Sequence, residues 1–313
     1  MKNVLTVDKL TKQYRGSPRM AVEKVSFHVA PGETLGILGA NGAGKTTTIS
    51  MLLGLLTPSS GSITYFGKNF FKHRSEIMQQ VGSATAFARL PSRLSIYRNL
   101  DIFGRLYGLD RKTRDYRINA LLEKLGMLSM RDRLATGLSA GETTRIIIAK
   151  AFLHSPQIVL LDEPTASLDV DIAHTIRNFI NDQREKGKSF IITSHNMLDM
   201  TELCDRIIVM EEGKISIAST PEQLARSVHN TKLWLLMGDQ VEACAAFAKE
   251  NNIPFVIDQA WIELEVGAQE IASTLLKLNK RSITYADIEI KHPTLEDYFI
   301  ALQKKRRKAK AQK

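Results

Sequence analysis

The chain has 313 residues, a length that suggests one large or two modest domains. Hydrophobic residues make up 43% and charged residues 24%, an ordinary globular balance, and the apolar runs are far shorter than the roughly 20 residues of a membrane-spanning helix. The first ten residues alternate polar and apolar side chains and lack the features of a secretory signal, so we expect a cytoplasmic protein. Cys204 and Cys244 lie far apart and indicate reduced structural thiols rather than a disulfide or a zinc site.

The net charge of +10 is concentrated at one end of the chain. Residues 304–313 hold seven basic residues and no acidic one, and removing them leaves a remainder of only +3. We expect this segment to be a basic disordered tail. Its charge suits anionic lipid headgroups or RNA, and a solvated tail without any partner is an equal alternative.

Residues 1 to about 225 alternate short β-branched runs with helical patterns and glycine-rich turns, which predicts an α/β domain with a largely parallel core sheet. The first motif in it is Gly39-Ala-Asn-Gly-Ala-Gly44-Lys45-Thr46, which follows an apolar run and matches G-x-x-x-x-G-K-[ST]. Glycines there let backbone N–H groups turn inward around phosphate oxygens, and the following helix points its positive end at the same anion. Lys45 is expected to reach the β- and γ-phosphates, and Thr46 to ligate Mg²⁺. The candidate nucleotide contacts of this loop are Gly39, Asn41, Gly42, Ala43, Gly44, Lys45, Thr46 and Thr47.

A second motif is the apolar strand Ile158-Val-Leu-Leu, which ends in Asp162 and Glu163. Ligands of α/β sheets sit at such strand ends. Asp162 is therefore a candidate for the Mg²⁺ shell, and Glu163 is a candidate for polarising the water that attacks the γ-phosphate. The alternative reading of an acidic pair in this position is a helix cap or a turn.

The rest of the chain predicts a small α+β domain over residues 229–303. Strands are predicted at 231–236, 254–258, 261–266 and 283–290, with helices at 240–251 and 269–278 between them. This order, βαββαβ, is that of the ferredoxin-like split-βαβ unit, which could bind a small ligand or pair with a second copy. A final helix is predicted from Pro293 toward Leu302.

Several further motifs make residues 4–220 resemble the ATP-binding cassette (ABC) ATPases. Leu138-Ser139-Ala140-Gly141-Glu142 is similar to the family's LSGGQ signature, Pro164 to Asp169 resembles its D-loop, and Thr193-Ser194-His195 resembles its switch histidine after a strand. The resemblance implies a P-loop NTPase cassette with a mixed sheet and a helical subdomain at about residues 86–155. It also implies ATP and Mg²⁺ as cofactors, with two cassettes closing head to tail around each nucleotide.

The resemblance assigns roles to individual residues. It implies that Lys45, Glu163 and His195 are catalytic. Tyr14 corresponds to the aromatic residue that stacks on adenine, although an aromatic residue in a strand is commonly part of the core. The signature residues Ser139, Gly141 and Glu142 would contact the nucleotide held by the partner subunit. Asp169 of the D-loop would contribute a further nucleotide contact.

Two departures from the family pattern stand out. Aligning Val81-Gly82-Ser83-Ala84-Thr85 on the family's strand leaves Ala86 where a glutamine usually senses the γ-phosphate, which puts hydrolysis or coupling in doubt. Glu142 replaces the signature glutamine and Ala140 replaces a glycine. A carboxylate beside a triphosphate is expected to weaken closure slightly.

Pro293-Thr-Leu-Glu-Asp-Tyr-Phe resembles the tail of cassettes that serve ABC-2 type exporters. The resemblance implies an ATP-hydrolysing exporter subunit at the inner face of the cell membrane, with a separate permease and a second copy or homologous cassette as partners. Residues 89–109 fall where such cassettes dock the permease, and a purely internal helical face is the alternative. A soluble ABC-type ATPase that acts on the ribosome or nucleic acid through the basic tail is the alternative function, and nucleic acid is the less favoured partner.

Overall fold

The computed structural model describes residues 2–85, 89–228 and 231–311, with side chains described as far as residue 303. The chain divides into two compact units, one ending at Thr220 and the other beginning at Pro221. The predicted boundary at 228/229 lies eight residues further along. The reason is that the short helix Pro221–Arg226 packs against the last helix of the second unit.

The first unit contains two sheets. Strands β1, β2, β4 and β5 form an antiparallel sheet in the order β2-β1-β4-β5, and the other strands form a sheet in the order β10-β9-β3-β8-β7-β6. In the second sheet β9 and β10 are antiparallel and the other neighbours are parallel. The strands are β1 (Leu5–Gln13), β2 (Met20–Val29), β3 (Thr34–Leu38), β4 (Ser60–Tyr65), β5 (Lys68–Asn69), β6 (Val81–Ala84), β7 (Ile158–Asp162), β8 (Ser189–Thr193), β9 (Arg206–Glu211) and β10 (Lys214–Ser219).

Helices pack on these sheets, and α3, α4 and α5 follow one another between β6 and β7, in the region predicted as the helical subdomain. The helices of the first unit are α1 (Lys45–Leu52), α2 (Arg74–Met78), α3 (Ile96–Leu106), α4 (Arg111–Lys124), α5 (Ala140–Phe152), α6 (Val170–Glu185) and α7 (Met197–Leu203). A short 3₁₀ helix, Leu128–Met130, lies between α4 and α5.

The central strands β3, β7 and β8 are buried along their whole length, which explains their uninterrupted apolar sequences. They are neighbours in the order β3-β8-β7 and run parallel, so their carboxyl ends meet at one edge of the sheet. Helix α7 packs closely on β3: a Cβ at Gly36 would lie 2.8 Å from Sδ of Met200 and 2.9 Å from Sγ of Cys204. Cys204 and Cys244 are buried free thiols, as predicted.

The second unit has an antiparallel sheet in the order β12-β13-β11-β14. Its elements are α8 (Pro221–Arg226), β11 (Thr231–Leu236), α9 (Val241–Glu250), β12 (Phe255–Asp258), β13 (Trp261–Val266), α10 (Ile271–Lys280), β14 (Asp287–Lys291) and α11 (Leu295–Ala311), with short 3₁₀ helices at Gly238–Gln240 and Ala268–Glu270. From β11 to β14 the element order is the predicted βαββαβ. The last strand starts at Asp287, later than predicted, and Ile283 lies before it in the core of this unit. Its assignment to the ferredoxin-like class stays a prediction.

The final helix is longer than predicted. Helix α11 runs to Ala311, so the backbone of residues 304–311 is helical and the predicted disordered tail is wrong there. Lysine, arginine and alanine are good helix formers, which lets the helix continue through the basic segment. Thr294 and Asp297 cap its start, because the backbone N–H of each donates to the side chain of the other. Within the described residues, none of the helices is long and apolar enough to span a lipid bilayer.

Candidate nucleotide-binding and hydrolysis site

The loop between β3 and α1 has the backbone shape that phosphate binding requires. Gly42 and Gly44 have φ angles of 79° and 103°, which residues with a side chain rarely adopt. A Cβ at Gly44 would also lie 2.5 Å from the carbonyl oxygen of Ala21. Helix α1 starts at the next residue with no acidic side chain in its first turn, so its positive end is free to attract an anion.

The side chain of Lys45 folds back over this loop. Its Nζ donates hydrogen bonds to the carbonyl oxygens of Gly39 at 2.7 Å and Ala40 at 3.4 Å. Burial lowers the pKa of Lys45, and the nearby carboxylates of Glu163 and Asp162 partly oppose that effect. Phosphate oxygens are charged and therefore stronger acceptors than these carbonyls, so a bound triphosphate can compete for the ammonium group.

An open pocket of about 560 Å³ brings the phosphate loop and the acidic pair together. It is lined by Ala21, Ala40, Asn41, Gly42, Ala43, Gly44, Lys45, Thr46, Thr47, Asp162 and Glu163. The hydroxyl of Thr46 and the carboxylate of Asp162 are the hard oxygen donors that Mg²⁺ prefers. The described residues contain no cluster of three or more metal-ligating side chains. One hydroxyl and one carboxylate fit Mg²⁺, which would be bound through one or two protein groups with phosphates and water completing its shell.

Asp162 lies at the end of β7 and is almost fully buried. Its Oδ1 accepts a short hydrogen bond from the hydroxyl of Thr193, at the end of the neighbouring strand β8. The next residue, Glu163, donates its backbone N–H to the carbonyl oxygen of Thr193 at 2.9 Å. The two strand ends are therefore tied together directly behind the pocket.

Glu163 and His195 contact each other at the ends of these strands. Nδ1 of His195 lies 2.7 Å from Oε2 of Glu163, and the backbone N–H of His195 donates to the same oxygen at 3.2 Å. Glu163 has a φ of 55°, a conformation that is uncommon outside glycine and that often marks functional positions. The side chains are 66% exposed for His195 and 26% for Glu163, so both are accessible to a ligand.

Tyr14 lies just beyond β1 and is 45% exposed, so its ring is not part of the core. Its hydroxyl lies 3.3 Å from Oγ1 of Thr47, in the first turn of α1. Nζ of Lys12 lies 5.7 Å from the centre of the ring. The exposed ring thus stands beside the first turn of α1, next to the phosphate loop.

The predicted signature residues form the start of helix α5. The hydroxyl of Ser139 accepts a hydrogen bond from the backbone N–H of Glu142, and the Glu142 carboxylate accepts one from the backbone N–H of Ser139 at 2.7 Å. Ser139 and Ala140 are exposed, whereas Gly141 is buried. A Cβ at Gly141 would lie 2.7 Å from Cδ1 of Ile172, so this glycine packs closely against α6.

The structure places some predicted residues away from the phosphate-loop pocket. Asp169 precedes α6 and makes no capping hydrogen bond with its side chain. Neither it nor Ser139, Gly141 and Glu142 of the signature belongs to the described lining of the pocket. Ala86, at the predicted position of the missing glutamine, lies outside the described residues.

A buried polar network that the sequence patterns did not indicate lies behind the site and is formed by Thr165, Arg177, Ser194 and Asp199. One signal for it is present in the sequence. Asp199 shares the buried face of α7 with Leu203, one helical turn away, where an apolar residue is expected.

Comparisons with known proteins agree with this site. A family model described as ABC transporter matches residues 22–166. The chain is 32% identical to the bacitracin transport ATP-binding protein BcrA of Bacillus licheniformis over 308 residues, which cover 96% of this chain and 98% of the relative. It is 35% identical to the Nod factor export ATP-binding protein I of Paraburkholderia xenovorans (strain LB400) over 220 residues, 70% of this chain and 72% of the relative. A solved structure of an ATP binding subunit of an ABC transporter matches with a TM-score of 0.66 and 26% identity, covering 72% of this chain and 92% of that chain. The chain therefore belongs to the ABC transporter family, as an ATP-binding subunit with ATPase activity.

Proposed function

We propose that the chain is the ATPase of an ABC exporter: two copies close head to tail around two Mg-ATP, and their closure moves a separate membrane-spanning permease. The observation that carries this proposal is the hydrogen-bonded pair of Glu163 and His195 at the sheet edge where β3 opens the phosphate loop. It puts groups that can orient and deprotonate water beside groups that hold phosphate. The relatives that transport bacitracin and export Nod factor support the exporter branch.

Each residue of the pocket has a role in this proposal. The backbone N–H groups of residues 39–44 and the ammonium group of Lys45 would hold the phosphates. Thr46 and Asp162 would hold Mg²⁺, which neutralises phosphate charge when it is bound. Glu163 would accept the proton of the attacking water, and His195 would orient that water together with Glu163.

The signature supports a head-to-tail pair. Ser139 and Ala140 are exposed at the N-terminus of α5, where the helix dipole suits an anion, while the N–H groups of Ser139 and Glu142 are already used in the capping box. They do not belong to the described lining of the phosphate-loop pocket. They are therefore available to the nucleotide of a second copy.

The permease would bind to α3 at the cytoplasmic face of the membrane. Ile96 and Leu100 of this helix are buried, but Ile102 and Leu106 are 43% and 71% exposed. Exposed apolar side chains on one helix provide a surface that a partner can cover. The basic segment 304–313 could add contacts to anionic lipid headgroups, each worth about 1 kcal/mol.

Co-purification tests this function. A tagged Glu163→Gln chain, isolated with ATP from detergent-solubilised cells, should recover a multi-span membrane protein in stoichiometric amount. Adding Leu106→Ser should release that protein without preventing ATP-dependent dimers. The matched control is Leu276→Ser, at a leucine of the second unit that is 62% exposed. Recovery of ribosomal proteins and RNA without any permease would contradict the proposal and favour the alternative function.

A further inference from the structure

Asp199 lies at the centre of the buried polar network behind the site. It stands on α7, one turn after His195, and its side chain is completely buried. Its Oδ2 accepts a short hydrogen bond from the hydroxyl of Thr165 and a second, at 3.1 Å, from the hydroxyl of Ser194. Its Oδ1 accepts a hydrogen bond from Nη1 of Arg177 at 3.1 Å. One carboxylate thus binds three segments of the chain.

Two of these segments carry the groups that act on the attacking water. Thr165 follows Glu163 by two residues, and Ser194 directly precedes His195. The Ser194 hydroxyl also accepts the backbone N–H of Asn196 at 2.9 Å, which fixes the turn on the other side of His195. The Asp199 carboxylate is therefore the shared anchor of both catalytic loops.

We infer that Asp199 is a positioning residue for ATP hydrolysis, whose carboxylate sets the separation of the loops that carry Glu163 and His195. The inference rests on the proposed function, because it assigns Asp199 a part in that reaction. Asp199 acts through Thr165 and Ser194 and lies behind the reacting groups. A buried, charge-assisted hydrogen bond is strong and directional, so it can hold a loop to the fraction of an ångström that an oriented water requires.

The contacts of Asp199 separate a structural role from a positioning role. Arg177 neutralises the buried charge and also pairs with Glu202, where its Nε lies 2.9 Å from Oε2. This ion pair connects α6 with α7. The hydroxyl groups of Thr165 and Ser194 carry no charge, and each connects its own loop to the Asp199 carboxylate. Removing a hydroxyl therefore loosens one loop and leaves the ion pair in place.

Thr165→Val and Ser194→Ala remove these hydroxyl groups one at a time from the full chain. Each should lower kcat at least about tenfold, because misplacing reacting groups by a fraction of an ångström is costly. The Kd for Mg-ATP should stay within about twofold, since the phosphate loop is unchanged. The matched control is Thr175→Val on α6, whose hydroxyl donates to the carbonyl oxygen of Asp171 on an exposed surface.

A spectroscopic measurement distinguishes positioning from a general loss of structure. The ¹⁵N chemical shifts of the His195 ring report its hydrogen bond to Glu163, so both loop variants should shift them and the Thr175 control should not. Thr165→Ser restores the hydroxyl and should recover most of kcat and the native ring signals. In the double variant, which combines Thr165→Val with Ser194→Ala, the fold-reduction in kcat should be smaller than the product of the two single reductions. The reason is that both hydroxyl groups act through one carboxylate.

Two results would overturn the inference. One is a kcat within about twofold of wild type in both loop variants, because the loops would then not depend on Asp199. The other is a fall in kcat that accompanies a loss of thermal stability while the His195 ring signals keep their native positions. That result would show that the network has a structural role alone. A wild-type chain that hydrolyses no ATP would contradict the proposed function instead, and the ring signals would still decide whether Asp199 positions His195.

Discussion

Two donors of His195 converge on one oxygen of Glu163: Nδ1 lies 2.7 Å from Oε2, and the backbone N–H of His195 lies within hydrogen-bond distance of the same atom. The carboxylate is thus held by two contacts from a single residue. In the proposed mechanism Glu163 would take the proton of the attacking water, and these contacts would reduce the reorganisation that this step requires.

Glu163→Gln tests the role of this carboxylate. The amide oxygen can still accept from His195, but the side chain can no longer take a proton from water. We expect kcat to fall by about 10²- to 10³-fold while ATP binding persists, so that ATP-bound dimers accumulate. Steady-state ATPase assays and light scattering with ATP measure the two effects.

Glu76→Gln is the matched control, because Glu76 is half-exposed and pairs with Lys68 away from the site. It should leave both kcat and the oligomeric state unchanged. If Glu163→Gln kept a kcat near that of wild type, the assignment of Glu163 to the attacking water would be wrong.

Tyr14 provides a test of base recognition. The ring is exposed beside the phosphate loop, where its hydroxyl lies 3.3 Å from Oγ1 of Thr47. Stacking of a base on an aromatic ring is worth about 1–3 kcal/mol, so Tyr14→Ala should raise the Kd for Mg-ATP roughly tenfold. Tyr14→Phe keeps the ring and should change Kd less than about threefold, since it loses one solvent-exposed hydrogen bond.

Calorimetric titration of Mg-ATP measures these constants. Tyr116→Ala serves as the control, because Tyr116 is an exposed aromatic residue of α4, whereas the Tyr14 hydroxyl lies beside Thr47 of the pocket. An unchanged Kd in Tyr14→Ala would show that adenine lies elsewhere.

The sequence predicted the local features of this chain well. Strands β11 and β13 have the predicted bounds, and in β13 Ile262, Leu264 and Val266 alternate with glutamates, the period of a strand. The phosphate loop, Asp162 and Glu163 line one pocket, as their positions at the ends of buried strands predict, and their roles toward nucleotide stay predictions. The family resemblance is confirmed by the relatives that match most of the chain.

The network of Asp199 could not be predicted in the same way. Its partners Thr165 and Arg177 come from segments that are distant in sequence and meet only when β7, β8 and α6 pack together. Sequence pattern reports the periodicity of one element, but it does not report which polar groups of different elements meet. The length of α11 was missed for another reason: a run of basic residues was interpreted through its charge, although the same residues favour a helix.

Glu142 is less disruptive in the signature than its charge alone suggests. Its carboxylate caps the N-terminus of α5 and lies 3.7 Å from Nη1 of Arg133. Glu142→Gln keeps a capping oxygen and removes the charge, so ATP-dependent dimerisation in the Glu163→Gln background should strengthen, by less than about threefold. Glu142→Ala removes half of the capping box and should cost about 1 kcal/mol of stability.

Analytical ultracentrifugation at a series of ATP concentrations measures the first effect, and chemical unfolding measures the second. Weaker dimers in Glu142→Gln would show that the carboxylate itself contributes to closure, in contrast to the repulsion that the sequence predicts.

His154 should make the first unit sensitive to acid. Its ring stacks on Tyr107 at a centroid distance of 3.7 Å, and Nε2 lies 3.2 Å from the carbonyl oxygen of Val81. Burial lowers the pKa of His154 from 6.5 to about 4; the hydrogen bond to Val81 opposes this shift, and the positive charges of Lys188 and Arg117 add to it. The unfolded chain therefore binds a proton more readily than the folded chain between these two values. Stability from this residue is complete above about pH 6.5 and is lost as the pH falls toward 4.

His154→Phe separates this effect from other acid-sensitive groups, because phenylalanine keeps the stacking on Tyr107 and cannot titrate. The ring is partly accessible to solvent, so we expect the free energy of unfolding of the wild type to fall by only about 1–2 kcal/mol between pH 7 and pH 4.5. The His154→Phe variant should not show this fall. Urea unfolding at both pH values measures the difference, with His73→Phe as the control at a half-exposed histidine. An equal loss of stability in wild type and His154→Phe would mean that the pKa of His154 is the same in the folded and the unfolded chain, and the acid sensitivity would then come from other groups.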